Sequence, residues 1–129
     1  MSKQDQTIES KIIAKGLTAP RVTPADLQAN ISSEHYFTGM DGVAGYWCLG
    51  SEGPLHAAPA SPADRTALNL LTFCVLVLRN GFTVTGESAC ASPENFDPAI
   101  GREIARQNAE QKIWPLMGYQ LRETLAQKR

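Results

Sequence analysis

Between Leu70 and Cys90 the chain reads LLTFCVLVLRNGFTVTGESAC, and no other stretch limits the fold as much. Leu70 to Arg79 is apolar or β-branched enough for a strand. Asn80-Gly81 is the strongest short-range signal of a type I′ hairpin turn, because both central residues need positive φ. Phe82 to Cys90 is then the returning strand. A two-residue turn pairs Arg79 with Phe82, Val77 with Val84, Phe73 with Ser88 and Leu71 with Cys90. The first strand is apolar on both faces, with Leu71, Phe73, Val75 and Val77 on one and Leu70, Cys74, Leu76 and Leu78 on the other. Such a strand needs a cover on each side. One cover is the helix that follows; the other is the N-terminal half or another copy of the protein. Thr83, Thr85 and Glu87 share a face, so that edge is expected to be wet.

After the hairpin, Ser92-Pro-Glu-Asn-Phe-Asp97-Pro98 is a punctuated loop that ends as a helix start, with Asp97 as N-cap and Pro98 at the first helical position. The helix is expected over about 98–113. Ile100, Ile104, Ala105 and Ala109 form its apolar stripe, and Gly101 among them allows a close approach to the sheet. Pro115 predicts a break, and 116–127 reads as a second helix through Leu116, Tyr119, Leu121 and Leu125. Upstream, Ile8 to Lys15 is a short amphipathic helix within a flexible N-terminus (1–20), and Thr23-Pro24-Ala-Asp26 starts another. Ser33 to Thr38 fits either a strand or the tail of that helix. Gly39 to Gly45 is glycine-punctuated, Tyr46 to Leu49 is a short apolar segment, and 50–64 is a Pro/Ala-rich surface loop. The fold class is α+β: one domain over 1–129, with an antiparallel sheet centred on the hairpin (about 70–90), packed by the C-terminal helices and preceded by short N-terminal ones.

At 129 residues the chain can bury a modest core. A net charge of -1 argues against coating a nucleic-acid polymer by bulk electrostatics. No apolar run approaches the roughly 20 residues of a membrane span. The N-terminal residues lack the order of a secretory signal, so an intracellular protein is expected. The three cysteines, Cys48, Cys74 and Cys90, form no even disulfide set and no CxxC pair. A zinc site would have to combine them with His35 and His56; buried free thiols are the simpler reading, and no metal or cofactor is expected.

No catalytic signature is present: no GxSxG, P-loop, HExxH or dinucleotide fingerprint. Ser88 with one of the two histidines is the nearest thing to a nucleophile and base, and strand serines are common. The sharper candidate is a small anionic ligand at the corner from Pro93 to Arg106. A helix N-terminus offers free N–H donors to phosphate, and Arg102 and Arg106, one turn apart, add matching full charges. Phe82 and Phe96 offer flat faces to a base, and Asn95 and Asp97 could read base or ribose edges. Equally, Asp97 is a plain N-cap and surface arginines are commonly solvated.

The run LTFCVLVLRNGFTVTGESACASPENFDPAIGREIARQNAEQKIWPLMGYQLRE, with SSEHYFTGMDGVAG upstream, resembles the small phage proteins of the gene-product-49-like family. The marks are C-x-L-x-L-x-NGF, G-x-SAC, PENFD, G-x-x-x-A and KIWPL-x-GY, and together they span about two thirds of the chain. The C-terminal half is also similar to the Thoeris anti-defence sponges of the first family through NGF, SAC and PENFD. That resemblance implies a non-enzymatic phage protein of the host cytoplasm that sequesters cyclic ADP-ribose isomers intact, as a homo-oligomer, dimer or hexamer. It implies ligand roles for Phe82, Asn95 and Asp97, with Arg106 or Arg102 on the phosphates. Cyclic oligonucleotides of CBASS would take a second site, for which Arg21 and Arg65 are the candidates. Two rival readings are a phage regulatory module that binds a host protein or nucleic acid, and a nucleotide-cleaving enzyme.

Overall fold

The computed structural model describes residues 2–48 and 60–128. In chain order the elements are α1 (Lys3–Ala14), α2 (Pro24–Ala29), β1 (Ile31–Thr38), α3 (Gly39–Cys48), α4 (Pro62–Asn69), β2 (Leu71–Leu78), β3 (Thr83–Ala89) and α5 (Pro98–Gln127). The strands form one antiparallel sheet in the order β1-β2-β3. The α+β architecture expected from the sequence is the one observed.

The hairpin forms where expected, but with a different turn. Gly81 has φ +89, whereas no non-glycine residue among those described has positive φ, so Asn80 cannot supply a type I′ turn. The Gly81 N–H donates to the Leu78 carbonyl at 2.9 Å, and the Leu78 N–H donates to the Phe82 carbonyl at 2.8 Å. This is a three-residue loop, Arg79-Asn80-Gly81, closed by a glycine bulge. The Asn80 side chain holds it by accepting the Phe82 N–H at 2.9 Å. The register therefore moves by one residue: Leu76 faces Val84, Cys74 faces Gly86 and Leu71 faces Ala89, in place of the pairs expected above. The physical reason is burial. Only this register puts Val84 on the same face as Leu76, and both are buried there.

That face carries the core. Leu27, Cys74, Leu76, Leu78, Val84, Ala105, Ala109 and Ile113 are buried together, with Ile31, Tyr36, Trp114 and Met117 packed around them. α5 presses its backbone directly onto β3 at Gly86. A Cβ added to Gly86 would stand 2.2 Å from the Ala105 carbonyl oxygen and 2.3 Å from the Ala109 nitrogen. Gly101 makes a second close approach, 3.0 Å from the Thr72 hydroxyl by the same construction. The buried stripe of α5 is Gly101, Ala105, Ala109, Glu110 and Ile113. Ile100 and Ile104, expected in the stripe, are 55% and 43% exposed. They lie on its flank because the small residues, not the branched ones, allow backbone contact with the sheet.

The two C-terminal helices expected at 98–113 and 116–127 are one continuous helix with Pro115 inside it. Proline deprives the carbonyl four residues back, that of Gln111, of its donor. Both Pro115 and Gln111 are on the exposed side, where water can serve that carbonyl, so the helix runs through.

Ser33–Thr38 is strand, not helix tail, because Asn30 already closes α2. Residues 39–48, a glycine-punctuated stretch and an apolar segment to which the sequence assigns no element, fold as α3; Thr38 and Asp41 cap it reciprocally, at 3.0 and 2.9 Å. Of the loop expected at 50–64, residues 50–59 lie outside the described residues, and Ser61 and Asp64 form the capping box that starts α4. The N-terminus is helical from Lys3 but buries no residue. On the sheet face away from α5, Leu71, Phe73, Val75 and Val77 are half-buried and Thr83, Thr85 and Glu87 are exposed. No helix among the described residues is long and apolar enough to cross a membrane.

Candidate functional site

The corner where β2 begins and α5 starts is built by Ser92–Asp97. Residues Pro93–Asn95 make a 3-10 turn, and Asp97 caps the long helix. One Asp97 carboxylate oxygen accepts the N–H groups of Ala99 and Ile100, at 2.9 and 3.2 Å. These are the donors that a bound phosphate would otherwise take. The helix terminus is thus occupied by the chain's own anion, and Asp97 acts as the plain cap.

Beside it lies a cleft of about 310 Å3 between the ends of β1 and β2 and the first turns of α5. Its rings are Tyr36, Phe37 and Phe96, its hydroxyls Thr38 and Thr72, its amide Asn69, and its charges Asp41 and Arg102. Cavities of about 300–1,000 Å3 with few convergent polar groups are the size at which proteins hold small ligands. Arg102 is exposed at this cleft and makes no ion pair among the described residues. Its charge is felt by Tyr36, whose phenol is pushed up to about 12. Burial is the largest cause, the Cys74 thiol beside it and the Glu110 carboxylate add to it, and Arg102 pulls the other way. Tyr36 therefore stays a neutral donor and acceptor at the cleft wall.

Arg106, one turn further along α5, is differently placed. Its guanidinium pairs with Glu34 of β1 and donates to Glu110 at 2.8 Å and to Gln28 of α2 at 3.0 Å. With Glu110 only 1% exposed, this is a fastening of three elements rather than a free phosphate ligand. Asn95 is exposed and does not line the cleft.

Phe82 belongs elsewhere. It is 56% exposed at the hairpin turn and lines a separate cavity of about 300 Å3 with Leu116, Met117 and Gln120. At a rise of 1.5 Å per residue, the α5 residues beside it are roughly 28 Å from the Asp97 cap. The corner residues and Phe82 are not brought together within one chain. Arg21 is bonded through its guanidinium to Glu9 of α1, while Arg65 is exposed on α4. Ser88 is half-buried on the α5 side of the sheet, whereas His35 faces the other side and lies 3.1 Å from the Ser33 hydroxyl. The Ser88–His35 pairing is thus excluded, and His56 lies outside the described residues.

Cys74 is buried, and burial pushes its thiol up; Cys90 is half-buried, with its sulfur donating to the Ser92 carbonyl, and Cys48 is exposed. Only Cys74 is the buried free thiol expected of all three. No cluster suited to a metal exists among the described residues. Of the residues lining the cleft, Arg102 and Phe96 are legible as candidates in the sequence, whereas Tyr36, Thr38, Asp41, Asn69 and Thr72 are not. The Thr38-x-x-Asp41 capping pattern was the available signal for part of this set.

A family model matches residues 22–125: the phage protein (N4 Gp49/phage Sf6 gene 66) family. No curated protein and no solved structure matches the chain.

Proposed function

The chain belongs to the phage protein (N4 Gp49/phage Sf6 gene 66) family, and from that premise we propose that it captures a cyclic nucleotide signal of bacterial immunity in the corner cleft, uncleaved, within the infected cell. The observation that carries this reading is Arg102, a guanidinium without an ion-pair partner among the described residues, set at a cleft with three aromatic rings. A phosphate suits Arg102, a base suits the face of Phe96 or Phe37, and ribose hydroxyls suit Asp41 and Asn69. The sequence resemblance supplies the signal class: cyclic ADP-ribose isomers of Thoeris, with cyclic oligonucleotides of CBASS as the second group.

Capture without turnover needs only affinity. Holding a micromolar signal down requires a Kd near 1 nM, about −12 kcal/mol. The test is to mix the protein with each isomer, remove free ligand, heat the protein and chromatograph what is released. Intact ligand is expected; products would indicate an enzyme, and no binding would favour a regulatory module. In calorimetry, Arg102→Ala is expected to weaken binding about 100-fold, or about 2.7 kcal/mol, with unchanged melting. Unchanged affinity in that variant overturns the assignment.

A further inference from the structure

We propose that the cleft between α2, the end of β2 and the last turns of α5 is a separate binding site for a short zwitterionic peptide, with the peptide's carboxylate on Arg79, its ammonium on Asp26 and its apolar side chains on α5. The cleft has a volume of about 430 Å3, within the range of small-ligand sites. It lies far from the corner cleft, with Met117 roughly 28 Å along α5 from Pro98. The α5 residues that line it, Met117, Gln120, Leu121 and Thr124, recur at the spacing of one helix face. Met117 and Leu121 are half-buried and make an apolar floor, while Gln120 and Thr124 are exposed at its rim.

The opposite wall carries one free cation and one free anion, set apart. Arg79 donates through Nε to the Ala29 carbonyl, and its backbone N–H donates to the Asn30 carbonyl at 3.0 Å. The guanidinium is thereby fixed at the C-terminus of α2, and its two terminal nitrogens have no partner among the described residues. Arg21, also at this cleft, gives both of its terminal nitrogens to Glu9. Asp26 accepts the Thr23 N–H at 3.0 Å through one carboxylate oxygen, and its other oxygen has no hydrogen bond among the described residues. Hydrogen bonds from Thr23, backbone first and then hydroxyl, and the Arg21 charge hold the Asp26 carboxyl below the usual carboxylate range against the opposing effect of burial. Asp26 precedes the carbonyls that hold Arg79 by three and four residues, roughly 5–6 Å along α2. Two extended residues span at most about 7 Å, so the ends of a dipeptide bridge these charges, whereas a single amino acid is about half that long. The amides of Asn30 and Gln120 offer its peptide bond a donor and an acceptor. A polyphosphate would find one free guanidinium here, beside a carboxylate that repels it.

This inference is independent of the corner-cleft reading. The test is calorimetry of the full chain with leucyl-leucine, for which a Kd of about 100 μM is expected. The N-acetylated and the C-amidated forms of that dipeptide should each bind at least about 10-fold more weakly, a comparison that needs no variant. Asp26→Asn keeps an acceptor for the Thr23 N–H and removes the charge. It is expected to weaken leucyl-leucine about 10-fold and to abolish the preference over the N-acetylated form, with Tm lowered by no more than about 3 °C. Arg122→Ala, exposed on α5 and outside the cleft, leaves binding unchanged. Absence of binding up to about 5 mM leucyl-leucine overturns the proposal, as does equal affinity for the free, acetylated and amidated forms. Inorganic pyrophosphate binding more tightly than leucyl-leucine also overturns it, because the cleft is then an anion site.

Discussion

Gly86 decides how near α5 can lie to the sheet. The atoms that a Cβ would strike are the Ala105 carbonyl oxygen and the Ala109 nitrogen, and neither can rotate away. Gly86→Ala must therefore lift the helix as a whole. Overpacking typically costs 1–3 kcal/mol, and a rigid backbone obstacle belongs at or above the top of that range, so urea unfolding should show a loss of about 3 kcal/mol or more. Gly118, also in α5, has nothing within 4 Å of the corresponding position. Gly118→Ala should raise stability by about 0.5–1 kcal/mol, because it removes glycine's entropy cost from a helix interior. Similar effects from the two substitutions would contradict this account. Half of the contact was legible in the sequence as the small residues Gly101, Ala105 and Ala109. The opposing half was not, because a lone strand glycine fits a bulge as readily as a close approach.

Arg106 joins elements rather than binding outward. It holds β1 through Glu34, α2 through Gln28 and its own helix through the buried Glu110. Arg106→Ala leaves a carboxylate inside without its cation, and a loss of about 3 kcal/mol is expected in urea unfolding. Adding Glu110→Leu should recover most of it, since the stranded charge is then gone; a double variant no more stable than the single one would refute this. The sequence placed Arg106 and Arg102 one turn apart and alike. What separates them is the neighbour that each meets across space: Glu34, itself in a segment that composition left undecided between strand and helix. The hairpin shows the same limit. Asn-Gly marks the turn reliably, but its type, and with it the register of every pair in β2 and β3, follows from which valine the core takes in.

For the whole molecule, the family match begins at Val22, and α1 before it buries no residue. α1 is held by Arg21–Glu9 and by Ile8 and Ile12, which line a cavity with Trp114. Removing residues 1–20 should leave a cooperative unfolding transition with Tm lowered by no more than about 5 °C, read by circular dichroism. Loss of cooperativity would mean that α1 belongs to the core. The hairpin, the start of α5 and the corner loop were readable because periodicity and capping are local signals. The separation of Phe82 from that corner was not, because it depends on the length of a helix that Pro115 was expected to divide.

Phe37 stands on two frontiers at once: its ring lines the corner cleft, and it stacks on Phe73 across the outer sheet. A guest in the cleft and anything that covers the outer sheet would both touch that ring, and where the two then change each other's affinity they do so by an equal factor in both directions.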